Sequence, residues 1–428
     1  MKIIYLTAGA AGMYCGSCLQ DNSLAKALVE LGHDTLLVPT YTPILTDEGN
    51  VSEDRLFYGG LNVYLQQVSP VFRWIPSWAD GFLSSPRLVN WIASKAMGTS
   101  AKNLGALTVS MLQGKDGKQR KEVERLCGWL KTESPDVVVF SNLLIAGCIP
   151  AISERLSVPT TVILQGDDIF YDGLIEPYRS QALEELKRLA NHVNTFVVHS
   201  QDYGSRMSEM LKIPADKVQV TPLSIDTSDF DFPVTSRAES PPAIGYLARL
   251  APEKGLHLLV DAFVDLALEF PDLRLEIAGW LGKQHEGYWA EQQQKLQRAK
   301  LDDRYRYHGS VDRNGKMDFL RCIDLLSVPT PYEEPKGRFV LEALAAGVPF
   351  LQPSHGAFPE LHARLGGGEL CEPKSVDALR SGLQKMLQDR TQLREMGLAG
   401  RSAVFEKAST QMAAKHFVDL LESNCLRQ

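Results

Sequence analysis

Short apolar runs alternate with longer stretches of helical periodicity in two separate parts of this chain, and that rhythm restricts the fold more than any other feature. Parallel strands cannot be joined by a hairpin and need a crossover, usually a helix. Repeated strand–helix alternation therefore implies parallel sheets with ligand loops at the carboxyl ends of their strands. The first part opens with an apolar run at 2–7, a Gly/Ala-rich loop over 8–16 and a helix over 21–31 bearing Leu24, Leu28, Val29 and Leu31. Gly32 ends that helix, His33 is a junction residue, and the next strand is expected at 35–38. Alternation lapses from about 41 to 130. It returns with strands at 136–140, 160–164, 195–198 and 218–221 and helices at 143–156, 179–190 and 201–211. The second part repeats the pattern: strands at 243–246, 273–278, 304–308, 323–328 and 350–352, with helices at 256–268, 285–297, 316–322 and 339–346 and further helices to the end.

At 428 residues the chain exceeds one ordinary core, so two domains are expected. The expected fold is α/β, with two Rossmann-like domains facing across a cleft. The N-terminal domain covers 1–232, with 41–135 as an extra, mainly helical insertion. A polar, proline-bearing linker follows at 233–242, then a C-terminal domain at 243–405 and a helix at 406–428 that crosses back to the first domain.

Composition narrows the function. A net charge of −7 without a basic block speaks against nucleic-acid binding. Seven scattered cysteines suit a reducing compartment, and no apolar run reaches membrane-spanning length, so a cytoplasmic protein is expected. Cys15 and Cys18 form a lone C-x2-C without the second pair that zinc would need, and read as small buried thiols. Between 41 and 135, Trp74, Trp78 and Trp91 mix with Arg73, Arg87 and Lys95. The bland reading is a set of capping helices. The sharper one is an acceptor wall that touches lipid or the inner face of a membrane.

The chemistry concentrates at 331–349, PYEEPKGRFVLEALAAGVP. Pro335 and Gly337 punctuate a strand-to-helix junction, so backbone amides of Arg338, Phe339 and Val340 should emerge at a helix N-terminus, where orphan donors and the dipole favour phosphate. Glu334 and Glu342 bracket that point. Carboxylates are poor phosphate ligands and should face hydroxyls instead. Phosphate flanked by hydroxyls describes a nucleotide sugar. Arg249 and Lys254 sit on the loop that opens the helix at 256, and a planar fork beside a point charge suits a diphosphate. The alternative is a pair of exposed cations held by Glu253 or Asp261. Near the amino terminus, Gly9, Gly12 and Gly16 miss the G-x-G-x-x-G spacing, which disfavours a nicotinamide enzyme. Gln165 and Asp167 lie in a polar cluster at a strand's carboxyl end, where open sheets bind ligands, and His355 lies on a loop expected to face ligand.

These residues carry a family resemblance. The run from Ala248 to Gly255 resembles the G-R-L-x-x-E-K-G segment of retaining glycosyltransferases of family 4, and Glu334 to Glu342 resembles their E-x7-E motif, with Gly337 at its usual glycine. The likeness covers about 195–425 well and 1–40 moderately, and it is silent from 41 to 135. It implies the GT-B architecture and metal-independent transfer with retention at the sugar carbon. It assigns Arg249 and Lys254 to the diphosphate, Glu334 to the donor sugar and Glu342 to the ribose. Arg338, Phe339 and Val340 contribute amides, and Gly16 approaches the phosphates from the other domain. Gln165 stands where many members carry a histidine, Ala248 replaces a glycine, and Cys15 replaces the first glycine of a Gly-Gly pair. The resemblance implies no cofactor. The partners expected are a nucleotide-sugar donor and a carbohydrate, lipid or small-molecule acceptor, with Gln165 and Asp167 on the acceptor side. Two alternatives stay open: a nucleotide-sugar epimerase of the same architecture, and a nucleotide-binding protein without turnover.

Overall fold

In the computed structural model, the described residues are 1–9, 16–44, 46, 49–53, 101–234, 237 and 239–425. The chain forms two compact units. One comprises Met1–His199, Tyr203–Thr221 and Ala414–Gln428, the other Ser200–Asp202 and Pro222–Ala413.

The first unit is built on a six-stranded parallel sheet: β1 (Lys2–Thr7), β2 (Asp34–Pro39), β3 (Val137–Phe140), β4 (Thr160–Ile163), β5 (Thr195–Val198) and β6 (Val218–Val220), in the order β2-β1-β3-β4-β5-β6. Among its strands, β1, β3 and β5 are nearly continuous apolar runs because helices cover both faces. On one face Ile4, Leu6, Val138 and Phe140 join Leu126, Ile149, Leu186 and Tyr203. On the other, Ile3, Tyr5 and Val139 meet Leu24, Leu28, Ala414, Phe417 and Leu421, the last three from the helix Thr410–Cys425.

The second unit carries β7 (Ala243–Leu247), β8 (Arg274–Ala278), β9 (Tyr305–Tyr307), β10 (Leu325–Leu326), β11 (Phe350–Pro353) and β12 (Gly368–Cys371), again all parallel, in the order β12-β11-β10-β7-β8-β9. The chain runs outward through β8 and β9, then returns to the far side of β7 with β10. The order therefore reverses between β7 and β10, and that reversal creates a crevice at the carboxyl ends of these two strands.

Four expectations shift. The expected linker at 233–242 belongs to the second unit, and so do the residues before it: Leu223, Ile225 and Phe230 are already buried in that unit's core. The first helix begins at Gly16 rather than 21, so Gly16 heads a helix instead of closing a loop. The helix expected at 143–156 is a 3-10 turn, Leu143–Cys148, followed by an α-helix, Ile149–Leu156. Pro150 lacks the N–H that an earlier start would require and is tolerated only in a first turn. β10 is two residues long rather than six, although Asp324 and Ser327 extend its bonding, their N–H groups donating to Ala243 and Gly245 carbonyls. Of the expected insertion, the described part contains the helices Ala101–Leu112 and Arg120–Glu133; Trp74, Trp78 and Trp91 lie outside the described residues, as does Cys15.

Candidate functional site

The loops that leave β7 and β10 bring the sequence motifs together. Gly255 takes φ +75°, and a Cβ there would stand 2.0 Å from the Pro329 carbonyl oxygen. Only glycine allows so close a backbone approach, and it seats the β7 loop on the β10 loop. Lys254, next in the chain, thereby reaches Glu334: Nζ lies 2.5 Å from Oε2, with both side chains about nine-tenths buried. Burial alone would push the Glu334 carboxyl up. The Lys254 ammonium, with the Gly337 amide 3.4 Å from Oε1 and the charge of Lys336, outweighs burial and holds it below its ordinary value. Arg249 sits nearer solvent and donates to Glu253 at 3.2 Å; Asp261 instead pairs with Lys295. Of the two acidic partners considered for the exposed-cation reading, Glu253 is engaged and Asp261 is not.

Gly337 (φ +72°) caps the helix Arg338–Ala345, and a Cβ there would come within 3.0 Å of Leu361 and Phe358. The helix is buried along its whole length and stops at Gly347 (φ +79°), where Gly347 and Val348 N–H groups close on Leu344 and Ala343 carbonyls before Pro349. Of the three amides expected at its start, that of Val340 donates to the Gly337 carbonyl, 2.9 Å, and serves the turn itself. Glu342, one turn in, is buried and accepts at Oε1 from Arg338 Nε, 3.1 Å, and from Lys316 Nζ, 3.0 Å.

Sequence reasoning missed Lys316, buried Lys336 and Gly356. A Cβ on Gly356 (φ +58°) would lie 2.6–2.9 Å from the backbone of Glu333 and Glu334, and Ala357 N–H donates to the Glu334 carbonyl, 2.8 Å, so this loop backs the carboxylate. A lysine in the first turn of an apolar-faced helix was the one available signal for Lys316. His355 uses Nε2 against the Thr330 carbonyl, 2.9 Å; burial lowers its pKa and Thr330 only partly offsets that. Beside it, Thr330 Oγ1 and Gln352 Nε2 are buried without a partner among the described residues. Buried polar atoms are rarely left so, and these two sit at the carboxyl ends of β10 and β11.

In the first unit, Gly16 is exposed, with open space where a Cβ would stand. Gln165 is buried, and its amide donates to Asp21 Oδ1, 2.9 Å, and to the Ser141 carbonyl, 2.8 Å. Asp21, fully buried in the first helix, also accepts from Tyr5 Oη, 2.8 Å, and Thr7 Oγ1, 2.7 Å. Three donors compensate this buried charge, and burial together with Asp21 raises the Tyr5 pKa well above its ordinary value. Asp167 brackets the chain, accepting from the Leu143 amide at 2.7 Å and the Gln165 amide at 3.2 Å. Gln165 and Asp167 thus lie side by side at the carboxyl end of β4, both engaged in the fold.

Residues 227–403 match the family described as Glycosyl transferases group 1. A glycogen synthase of Mycobacterium tuberculosis is 24% identical over 282 residues, 65% of this chain and 67% of that protein. Among solved structures, sucrose-phosphate synthase from Thermosynechococcus elongatus superposes with a TM-score of 0.72 over 100% of both chains at 17% identity. Anabaena HepE in complex with UDP and glucose gives 0.70 over 99% of this chain and 100% of that one, also at 17%. The fold of this chain is that of these neighbours, the GT-B architecture.

Proposed function

We propose that the chain is a retaining glycosyltransferase of family 4 that moves a hexose-type sugar from a nucleotide-diphosphate sugar to an acceptor hydroxyl without a metal. One observation carries the reading: cations and carboxylates alternate around a glycine-capped helix start at the sheet's switch point, inside the segment that matches Glycosyl transferases group 1. Such a start favours phosphate, and the flanking carboxylates favour hydroxyls.

In this reading Arg249 and Lys254 neutralise the diphosphate as it departs, with the amides of Arg338 and Phe339 aimed at its oxygens. Val340 supports that helix turn, and Gly337 permits the close approach. Glu334 holds the sugar's hydroxyls and Glu342 those of the ribose. The bond from the anomeric carbon to the phosphate oxygen breaks, and the acceptor oxygen bonds to the same face of that carbon. The acceptor proton passes to the departing phosphate. No water is activated, so Glu334 and Glu342 need not act as an acid–base pair. Gln165 and Asp167 belong to the acceptor side. The acceptor is a carbohydrate, lipid or small molecule, and the protein works in the cytoplasm or at the inner face of a membrane. No helix among the described residues is long and apolar enough to cross one.

Turnover of UDP-, GDP- and ADP-sugars with mixed acceptors tests the function, and the configuration of the product tests retention. Wild-type-like transfer by Lys254→Ala would remove its assigned role.

A further inference from the structure

Lys316 and Arg338 are placed where local physics disfavours them. Lys316 lies in the first turn of the helix Arg313–Arg321, after the Asp312 cap, and Arg338 is the first residue of its own helix. A cation at a helix N-terminus opposes the dipole, and an Arg four residues ahead of a Glu is the weaker order for such a pair. Both side chains are also about nine-tenths buried. A buried cation in an unfavourable field requires a long-range reason, and both find Glu342, which is 26 positions from Lys316 in sequence. Both contacts fall on one oxygen, Oε1. Oε2 takes neither of them.

We infer that Lys316 is a positioning residue: with Arg338 it pins Glu342 by Oε1, so that Oε2 is presented to a vicinal diol, and this clamp sets a preference for ribonucleotides over deoxyribonucleotides. The inference rests on the donor-site reading above and adds to it a residue and a selectivity. A carboxylate on a free rotor can follow a single hydroxyl wherever it lies. One fixed at a single oxygen by two charged donors presents its other oxygen in one direction, and that direction distinguishes a diol from an alcohol.

The test is isothermal calorimetry of UDP, GDP and ADP, each beside its 2′-deoxy counterpart, on the full chain. Wild type should prefer the ribonucleotide by on the order of tenfold or more, the size of a hydrogen bond to a charged group. Lys316→Met, which keeps volume and removes charge, should reduce that ratio to about threefold or less, and Lys316→Gln is read beside it in case the first variant folds poorly. In a Glu342→Gln background, Lys316→Met should leave the ratio where Glu342→Gln alone puts it. A general loss of structure would weaken ribo and deoxy ligands alike. An unchanged ratio in folded Lys316→Met and Lys316→Gln overturns the clamp while the donor site stands. Failure of wild type to bind any of the three nucleotides overturns the donor site and the clamp with it.

Discussion

Replacing Glu334 by Gln should tighten the binding of a bare nucleoside diphosphate while slowing sugar transfer, and the opposite signs make this the most exposed consequence of the site's geometry. The Lys254 ammonium is held 2.5 Å from Glu334 Oε2, with side chains only 11% and 8% exposed. A diphosphate that recruits Lys254 must compete with that carboxylate and also tolerate its negative charge nearby. At an effective dielectric of about 20 and a separation of about 7 Å, one charge–charge interaction is roughly 2.4 kcal/mol. The Glu334→Gln substitution would remove it, keep the shape and still leave an oxygen to accept from the Gly337 amide. Allowing for relaxation, a gain of about 2 kcal/mol remains, about 30-fold in Kd. If Glu334 holds the donor's hydroxyls as proposed, the sugar-bearing donor should gain less, because it also loses a charged acceptor, and kcat should fall. Calorimetry with UDP, GDP and ADP supplies the first number and steady-state transfer the second. Unchanged or weaker diphosphate binding by a variant that melts like wild type would refute the competition for Lys254.

Three further outcomes are expected. Gly337→Ala forces a side chain to φ +72° with Cβ 3.0 Å from Leu361 and Phe358; a loss of about 1–2 kcal/mol in urea unfolding, with weakened nucleotide binding, should follow. Gln165→Leu withdraws one donor from buried Asp21 and should cost about 1–3 kcal/mol, read as a lower Tm. For pH, the folded pKa values of His355 and Glu334 both lie below their ordinary values of 6.5 and 4.5, so each group contributes stability that is present above its ordinary value and lost as pH falls. The urea midpoint should therefore drop as pH falls below 6.5 and again below 4.5; His355→Gln should shrink the first drop and leave the second, the rest of the first belonging to His257, whose pKa burial also lowers.

Much of the architecture was legible because it follows from period. Apolar runs such as Val137–Phe140 and Ala243–Leu247 can be little other than buried parallel strands when helices lie between them. Boundaries were less legible because tertiary packing sets them. Nothing in the residues 222–232 announces that Leu223, Ile225 and Phe230 belong to the second core, and the polar run after them is the more obvious place to divide the chain. Likewise Gly16 reads as loop by composition, yet it heads a helix whose next turns bury Cys18, Leu19 and Asp21. Glycine's low helix propensity was a weak guide once that face had a sheet to cover.

At the candidate site, the charges were legible but not their state. Arg249, Lys254, Glu334 and Glu342 can be picked out by spacing, because a helix start, a glycine and a loop cation are local features. Their pairing is not local: Lys254 and Glu334 are 80 residues apart, and they meet only because Gly255 lets two backbones touch. The same holds for Gly356, whose missing side chain leaves room for the backbone of Glu334. Each carboxylate therefore already holds a cation of the chain's own. This changes what binding must do. On the donor-site proposal, a ligand would not meet bare charges awaiting neutralisation but would exchange with ion pairs already in place, and fixed dipoles and charges stabilise a departing phosphate without first reorganising. A lone lysine in that crevice would attract phosphate more strongly and hold the released nucleotide longer. Under the same proposal, the pairing of Lys254 with Glu334 would give up diphosphate affinity in exchange for orientation, and removing the carboxylate should therefore tighten the product and slow the reaction.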